Sequence, residues 1–398
     1  MRLVLVQQSN FGPTERFKQL GNLTVALRGL GHTAVVRAPA VSGTDDLAVA
    51  TSLAELTSPR FWTAAGVDGV IAVTWLHQSA VLGAARAAGL PTIALADSDG
   101  RVVPWLHPGT VALHLQGALE GRRAARSGRA TGGASADPPT RAPTPPGFAE
   151  PPPEGLLRKL TARARLRSAL LAADWTGLQG DAALADYRRT LRLLRIPEPA
   201  ARLGLSEQPA APHFTGADVD AGPRPRAVLA VGRWTAPQKD PRLLAATVAA
   251  LLAADPAVRL TIIGAGAERV VRRSPRVTCR PSVPSTELPA LFAGAGALLS
   301  TSRWEGAPVA FSEALACGCP VVGPPLNAVR HAATGPGGWV AADRSAGALA
   351  DATTAALDAS ATAGHGLRVA QHWRPRVTAA AVAGELADRL DTLIASRR

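Results

Sequence analysis

The sequence predicts an α/β protein built from two doubly wound domains in tandem. Apolar runs of strand length alternate with helical patterns over residues 1–96, and the same alternation restarts at Arg226. The chain of 398 residues is also too long for one ordinary hydrophobic core. Strands that alternate with helices indicate parallel sheets covered by helices on both faces. Two such sheets would leave a cleft between them, at the carboxyl ends of their strands.

The first half opens with a strand, a loop, a helix and a second strand, which is the start of a doubly wound sheet. Strands are predicted at residues 1–8, 32–37, 69–73 and 91–96, and helices at residues 15–30 and 79–88. Gly31 and Gly89 follow the two helical patterns and suit a helix end. Residues 1–205 are assigned to this first domain.

Two breaks in composition follow these elements. Residues 121–155 contain mainly Arg, Gly, Ala, Ser, Thr and Pro, which cannot bury a core, so a disordered insertion is predicted there. Residues 206–225 are rich in Pro and Gly and are predicted to link the two domains. Between the breaks, residues 156–173 form a basic amphipathic helix candidate, which either packs on the first domain or lies on a membrane surface.

The second domain is assigned to residues 226–375. Strands are predicted at residues 226–231, 259–263, 276–279 and 296–301, and helices at residues 243–253 and 286–293. Pro308 is predicted to begin a further helix that ends at Gly318. Residues 376–398 carry a periodic pattern that predicts one long helix, over 376–396, which packs back towards the first domain.

Charge and cysteine content limit the partners and the location. The 43 basic and 30 acidic residues leave a net charge of +13, which favours nucleic acid, a membrane surface or a phosphorylated substrate. Neither arginine cluster, at 122–129 or 158–167, has interleaved aromatic residues, so binding to nucleic acid is not expected. Each cluster is either a site for another partner or a solvated arginine-rich face. Three cysteines fit a reducing cytoplasm. No apolar run suits a signal peptide or a membrane span.

Charged residues gather where strands of the second domain end. Arg233 closes the first strand and Lys239 follows before a helix, and this pair of cations suits a diphosphate. Glu305, in a loop, and Glu313, on the helix after Pro308, flank a helix amino end, where free amides favour an anion. The sequence therefore predicts a site for a phosphorylated ligand at this edge of the sheet.

Taken in order, these residues resemble the retaining glycosyltransferases of glycosyltransferase family 4, or group 1, which have the GT-B fold. The spacing of Glu305 and Glu313 matches the E-x7-E motif of that family. The other segments that carry the resemblance are Val231-Gly232-Arg233 with Lys239, residues 261–266 and residues 317–322. The resemblance is strong over residues 226–343 and implies two Rossmann-like domains that face a central cleft. Residues 1–205 would form the acceptor domain and residues 226–375 the domain that binds the nucleotide sugar.

The resemblance implies transfer of a sugar, with retention, from a nucleoside-diphosphate sugar to an unidentified acceptor, which could be a carbohydrate, a lipid or a small molecule. It implies no metal and no other cofactor, because Arg233 and Lys239 would neutralise the leaving diphosphate as catalytic residues, together with Glu305 beside the donor sugar. Glu313 would accept hydrogen bonds from the ribose. Further donor contacts are implied at the following backbone positions: Gly12, Gly232, Gly264, Gly306, Ala307 and Val309.

The chain also departs from that family. Many members place a histidine after the strand that matches residues 91–96, whereas Asp97 and Asp99 stand there in this sequence. These two residues either contact sugar or acceptor hydroxyls or serve the turn, and His77 either faces the cleft or is structural. Asn327-Ala328 and Arg330-His331 replace a Gly-Gly pair and a Glu. A non-catalytic GT-B protein that binds a nucleotide sugar or a partner enzyme is therefore the alternative, and a sugar-nucleotide epimerase is a third hypothesis.

A cytoplasmic protein is expected, with peripheral contact at the inner face of the cell membrane as the hypothesis that the basic helix candidate supports.

Overall fold

The computed structural model describes residues 1–12, 15–42, 46–74, 79–96, 164, 166–198, 202–271 and 274–397. The insertion predicted at 121–155 lies outside these ranges, as does half of the basic helix candidate at 156–173. Within them the chain forms two parallel sheets, each flanked by helices.

The first sheet has the strand order β3-β2-β1-β4-β5-β6-β7 in the described part of the chain, and all its strands are parallel. Its strands are β1 (Arg2–Val6), β2 (Thr33–Ala38), β3 (Ala48–Ala50), β4 (Gly69–Thr74), β5 (Thr92–Ala96), β6 (Trp175–Leu178) and β7 (Leu203–Leu205). Its helices are α1 (Gln19–Gly29), α2 (Leu53–Leu56), α3 (Pro59–Ala65), α4 (Ser79–Ala87) and α5 (Asp181–Leu193).

The second sheet has the order β10-β9-β8-β11-β12-β13 over the described residues and is also parallel. Its strands are β8 (Ala227–Val231), β9 (Arg259–Ile263), β10 (Val277–Arg280), β11 (Ala297–Leu299), β12 (Val321–Gly323) and β13 (Gly338–Val340). The helices from here to the chain end are α6 (Pro212–Thr215), α7 (Pro241–Ala254), α8 (Leu288–Ala293), α9 (Val309–Ala316), α10 (Asn327–Ala332), α11 (Ala346–Ser360), α12 (His365–Val377) and α13 (Ala379–Ala395).

Each sheet is buried on both faces, which explains the continuous apolar runs in the sequence. In β1, Leu3 and Leu5 belong to one core cluster and Val4 and Val6 to another, on the opposite face. Strand order reverses between β1 and β4 and again between β8 and β11. A crevice opens at such a reversal, outside the carboxyl ends of the strands, and this is where ligands bind in doubly wound sheets.

The chain crosses from one domain to the other twice, and the two crossing segments are in contact. Helix α12 packs against α9 in the second core, and α13 buries Leu386 and Leu390 against the first. The turn between them is Thr378, whose hydroxyl accepts a hydrogen bond from the amide of Ala381 at 3.2 Å. The earlier crossing contributes Ala210, whose amide donates to the carbonyl of Val377 at 2.8 Å. The two crossings are thus joined by a backbone hydrogen bond.

Three predicted elements differ from the structure. The long helix predicted at 376–396 is divided between α12 and α13, because Thr378 is extended (φ −61°, ψ 138°). The helix predicted at 15–30 is a 3-10 turn followed by α1, because Lys18 is extended. Pro308 precedes α9 instead of beginning it, with φ −69° and ψ 114°.

The predicted linker is partly structured. It contains α6, whose Phe214 is fully buried in the second core. Strands β3, β6, β7 and β13 and helices α2, α3, α5, α10 and α11 were not predicted at all. Among the described helices, none has both the length and the apolar character that crossing a membrane requires.

Candidate functional site

The carboxyl edge of the second sheet brings two glycine loops into contact. The amide of Gly232, after β8, donates to the carbonyl of Ile263 at 3.0 Å, and the amide of Trp234 donates to that of Ala265 at 2.9 Å. Gly264 has φ +121°, and a Cβ added there would lie 1.9 Å from the carbonyl oxygen of Gly232. Only glycine fits this position, because both the backbone conformation and the close approach exclude a side chain.

Arg233 lies on this edge with an exposed side chain. Within the described ranges its guanidinium has no ion pair and no hydrogen bond. Trp234 beside it is buried and donates its Nε1 hydrogen to the carbonyl of Ile263 at 2.9 Å, so it packs the loop. The guanidinium of Arg233 is therefore uncommitted and can reach a ligand, while its neighbour holds the backbone in place.

Lys239 and Glu305 form an ion pair at the same edge. Their side chains are 20% and 8% exposed. Glu305 also accepts hydrogen bonds from the Ser302 hydroxyl at 2.6 Å and from Gln238 Nε2 at 3.3 Å. A Cβ on Gly232 would lie 3.4 Å from Lys239 Cδ, which shows that the lysine stem runs along this glycine. The structure thus brings Gly232, Lys239 and Glu305 together, although up to 73 positions separate them along the chain.

A buried charge cluster fixes the two loops that carry this pair. Arg303, whose side chain is 1% exposed, lies 3.1 Å from Asp240, and Arg344 lies 2.5 Å from the same carboxylate. Asp240 also caps α7, since its Oδ1 accepts from the amide of Leu243 at 3.2 Å. Thr301 adds a hydrogen bond from its hydroxyl to the carbonyl of Lys239 at 2.8 Å. Sequence reasoning missed this cluster, although an Asp before a proline-initiated helix is a signal for the cap.

The amino end of α9 faces the loop of Glu305. No side chain caps this helix, and the amide of Phe311 donates to the carbonyl of Pro308 at 3.0 Å, so the amides of Val309 and Ala310 remain available to a ligand. Glu313, on the second turn, is partly buried, and its carboxyl has no hydrogen-bond or ion-pair partner in the described part of the chain. Burial raises the pKa of Glu313 from 4.5 to about 8.

On the first-domain side, the predicted residues are only partly described. Gly12 follows β1, next to the pairing of Phe11 with Val41, and a Cβ added there would lie 2.9 Å from the Ser42 hydroxyl. Asp97, Asp99 and His77 lie outside the described residues. The backbone positions Gly306 and Val309 flank Ala307 and Pro308 at the start of α9.

The residues that depart from the family pattern lie at the boundary between the domains. His331 Nε2 is 2.8 Å from Glu207 Oε2, and Asn327 Nδ2 donates to Asp186 Oδ2 at 2.9 Å. A Cβ on Gly180 would meet the ring of His331 at 2.7 Å. Helix α10 therefore holds the first domain instead of offering its polar side chains to a ligand.

Two other features have a structural explanation. Cys317 and Cys319 form no disulfide and are fully buried in the second core. Burial raises the pKa of each thiol to about 12. They pack the core. Across the described ranges, no group of three or more His, Cys, Asp or Glu side chains is placed to hold a metal ion.

Comparison with known proteins gives the class of the second domain. Residues 225–359 match the family described as Glycosyl transferases group 1. The match covers most of the second domain. The domain contains the candidate residues Arg233, Lys239, Glu305 and Glu313. No curated protein matches the sequence of the whole chain.

Three solved structures are similar over almost the full length of both chains. Sucrose-phosphate synthase from Thermosynechococcus elongatus is 16% identical, with a TM-score of 0.59 and 100% of each chain covered. HepE from Anabaena, in complex with UDP-glucose, is 14% identical, with a TM-score of 0.62 and coverage of 98% of this chain and 100% of that chain. α,α-Trehalose 6-phosphate synthase from Burkholderia multivorans is 12% identical, with a TM-score of 0.60 and coverage of 99% and 97%.

This likeness confirms the predicted GT-B fold of two Rossmann-like domains. The match of residues 225–359 to glycosyl transferases group 1 indicates the enzyme class, glycosyltransferase, EC 2.4.

Proposed function

We propose that this glycosyltransferase is a member of family 4 that moves a sugar from a nucleoside-diphosphate sugar to an acceptor hydroxyl, with retention and without a metal ion. The observation that carries the proposal is the arrangement of Arg233, Lys239 and Glu305 at the carboxyl edge of the second sheet, beside the amino end of α9. This arrangement offers cations for a diphosphate and a carboxylate for sugar hydroxyls in one place.

Charge is the reason for two cations there. When the bond between the sugar C1 and the diphosphate oxygen breaks, negative charge develops on the diphosphate. The uncommitted guanidinium of Arg233 can bind it with two parallel hydrogen bonds, and Lys239 can bind it as a point charge. The free amides at the start of α9 also stabilise this negative charge. These groups supply the stabilisation that a metal ion would otherwise supply.

The two acids are assigned to hydroxyl groups. Before the donor binds, Lys239 neutralises Glu305. A diphosphate would give Lys239 a second anion to contact, and Glu305 could then accept a hydrogen bond from the donor sugar. Glu313 is assigned to the ribose hydroxyls, since its carboxyl has no other partner among the described residues. Retention is proposed from the resemblance to family 4, with the acceptor hydroxyl attacking C1 from the face that the diphosphate leaves.

A donor screen tests the proposal. Thermal shift and hydrolysis should be measured with UDP, GDP, ADP and dTDP sugars, beginning with UDP-glucose because HepE was solved with it. We expect one nucleotide sugar to raise the melting temperature and to be turned over. Nucleotide binding without any turnover would favour the non-catalytic alternative.

Substitution of Arg233 tests the assignment of the site. Arg233→Gln should reduce turnover by at least about 100-fold, because it removes a cation from the developing charge, while stability stays within about 0.5 kcal/mol. Arg259→Gln is the matched control, since that exposed arginine begins β9 at the opposite edge of the sheet. Full activity of Arg233→Gln would contradict the assignment.

We further propose a cytoplasmic location, which three unbonded cysteines support. Contact with the inner face of the membrane stays a prediction from the basic helix candidate at 156–173.

A further inference from the structure

A second group of polar side chains lies on the first domain, where β6 and β7 end. Gln179, Ser206 and Gln208 are 7%, 8% and 2% exposed. In the described part of the chain, Gln179 Oε1, Ser206 Oγ and Gln208 Nε2 have no hydrogen-bond partner. Leaving a buried polar atom without a partner costs free energy, and most proteins avoid it. Three such atoms from one sheet edge therefore require partners that a bound water or a ligand would supply.

The three side chains line one open pocket, whose empty volume of about 210 Å³ includes solvent at its mouth. The enclosed part has room for about one water molecule, so a larger ligand would extend from it into the cleft. Ala307 lines the same cavity from the second domain. Because Ala307 lies between Glu305 and the start of α9, the cavity adjoins the proposed donor site. A molecule bound in it would contact the first domain beside the proposed donor site, and the resemblance to family 4 assigns the acceptor to that domain.

Two glycines hold the polar groups in this position. A Cβ on Gly177 would lie 2.7 Å from Ser206 Cβ and 2.8 Å from the ring of Trp175, and one on Gly204 would also lie 2.8 Å from that ring. Trp175 is 2% exposed. Strands β6 and β7 can therefore approach each other over a buried aromatic ring, which brings their carboxyl ends to the cavity.

The cavity offers no lysine or arginine among its described lining residues. Its polar lining consists of carboxamides, a hydroxyl and one carboxylate. The acid that lines it, Glu207, is already bound to His331 at 2.8 Å. An anion would find no cation there. A carboxamide offers both a donor and an acceptor, as does a serine hydroxyl, and the hydroxyl groups of a sugar require this combination.

We propose that Gln179, Ser206 and Gln208 form a hydroxyl-binding subsite that takes a neutral sugar as the acceptor. The proposal rests on the proposed function, because it assigns the cavity to the acceptor of the same transfer. It narrows the acceptor to a neutral, polyhydroxylated group at the reacting end.

Binding of free sugars tests this subsite directly. Glucose, mannose and N-acetylglucosamine should be titrated by saturation-transfer NMR, with glucose 6-phosphate and glucuronate as charged counterparts, in the presence of UDP, GDP or ADP. The variants are Gln179→Leu and Gln208→Leu, and the control is Gln371→Leu, which replaces an exposed glutamine of α12. Thermal unfolding of each protein with and without the nucleotide is measured in the same samples.

We expect one neutral sugar to bind the wild-type protein and its affinity to fall about tenfold in each cavity variant, as the loss of one hydrogen bond predicts. The melting temperature of these variants should not fall, since the replaced atoms have no partner to lose. The subsite is overturned if no neutral sugar binds, if the charged sugars bind more tightly, or if the variants bind the sugar as the wild type does. Failure of every nucleotide to bind would instead count against the proposed function, because the nucleotide signal does not depend on this cavity.

Discussion

Glu313 should make the stability of this protein depend on pH. In the folded protein the pKa of its carboxyl is about 8, whereas the ordinary pKa of this group is 4.5. Between these values the unfolded chain has released the proton and the folded chain has kept it. The contribution of this group to the free energy of unfolding is therefore fully present below pH 4.5 and is lost as the pH rises to about 8. Burial without a partner is the physical cause.

The size of the effect follows from the two pKa values. One pKa unit corresponds to about 1.4 kcal/mol, so the difference between 4.5 and about 8 corresponds to at most about 5 kcal/mol. Partial exposure of the side chain lowers this figure. Glu313→Gln keeps the shape of the side chain and removes its titration. The variant should match the wild type at pH 5 and exceed its stability at pH 9.

Thermal unfolding at pH 5 to 9 measures this difference. About 1 kcal/mol shifts the melting temperature of a domain of 150–250 residues by about 2–4 °C, so the variant should melt several degrees higher at pH 9. Glu268→Gln is the control, because Glu268 is an exposed carboxyl of the same domain and should give no pH-dependent difference. The reasoning is refuted if the wild type and Glu313→Gln differ by the same amount at every pH, or if the variant is the less stable protein at pH 9.

Two further substitutions test how the loops of the site are held. Gly264→Ala should destabilise the protein by about 2–4 kcal/mol in urea unfolding, because φ is +121° and the new Cβ would overlap the carbonyl of Gly232. Gly347→Ala, in α11 with open space around it, should be neutral or stabilising, and equal effects of the two would contradict this account. Asp240→Asn keeps the helix cap and the left-handed φ of 49°, but removes the charge between two arginines. It should cost about 3 kcal/mol, and an unchanged unfolding midpoint would show that the carboxylate charge is not required.

The sequence by itself determined the fold and the type of chemistry. Parallel strands buried on both faces, such as β1, are continuous apolar runs between turn residues, and this signal is local. The positions of Arg233, Lys239, Glu305 and Glu313 predicted a site for a phosphorylated ligand, and the resemblance to family 4 added the nucleotide sugar; both stay predictions. Short strands such as β3 have three residues, too few for a period to show, and they were missed for that reason.

Only the tertiary structure decided how these residues interact. Lys239 and Glu305 are 66 positions apart along the chain, and no local pattern indicates that they pair. The same holds for the charge cluster around Asp240, whose partners come from two distant loops. The sequence did not indicate the polar cavity, for a different reason. Gln179, Ser206 and Gln208 lie in loops where polar residues are expected, and only the packing of β6, β7 and Ala307 buries them without partners.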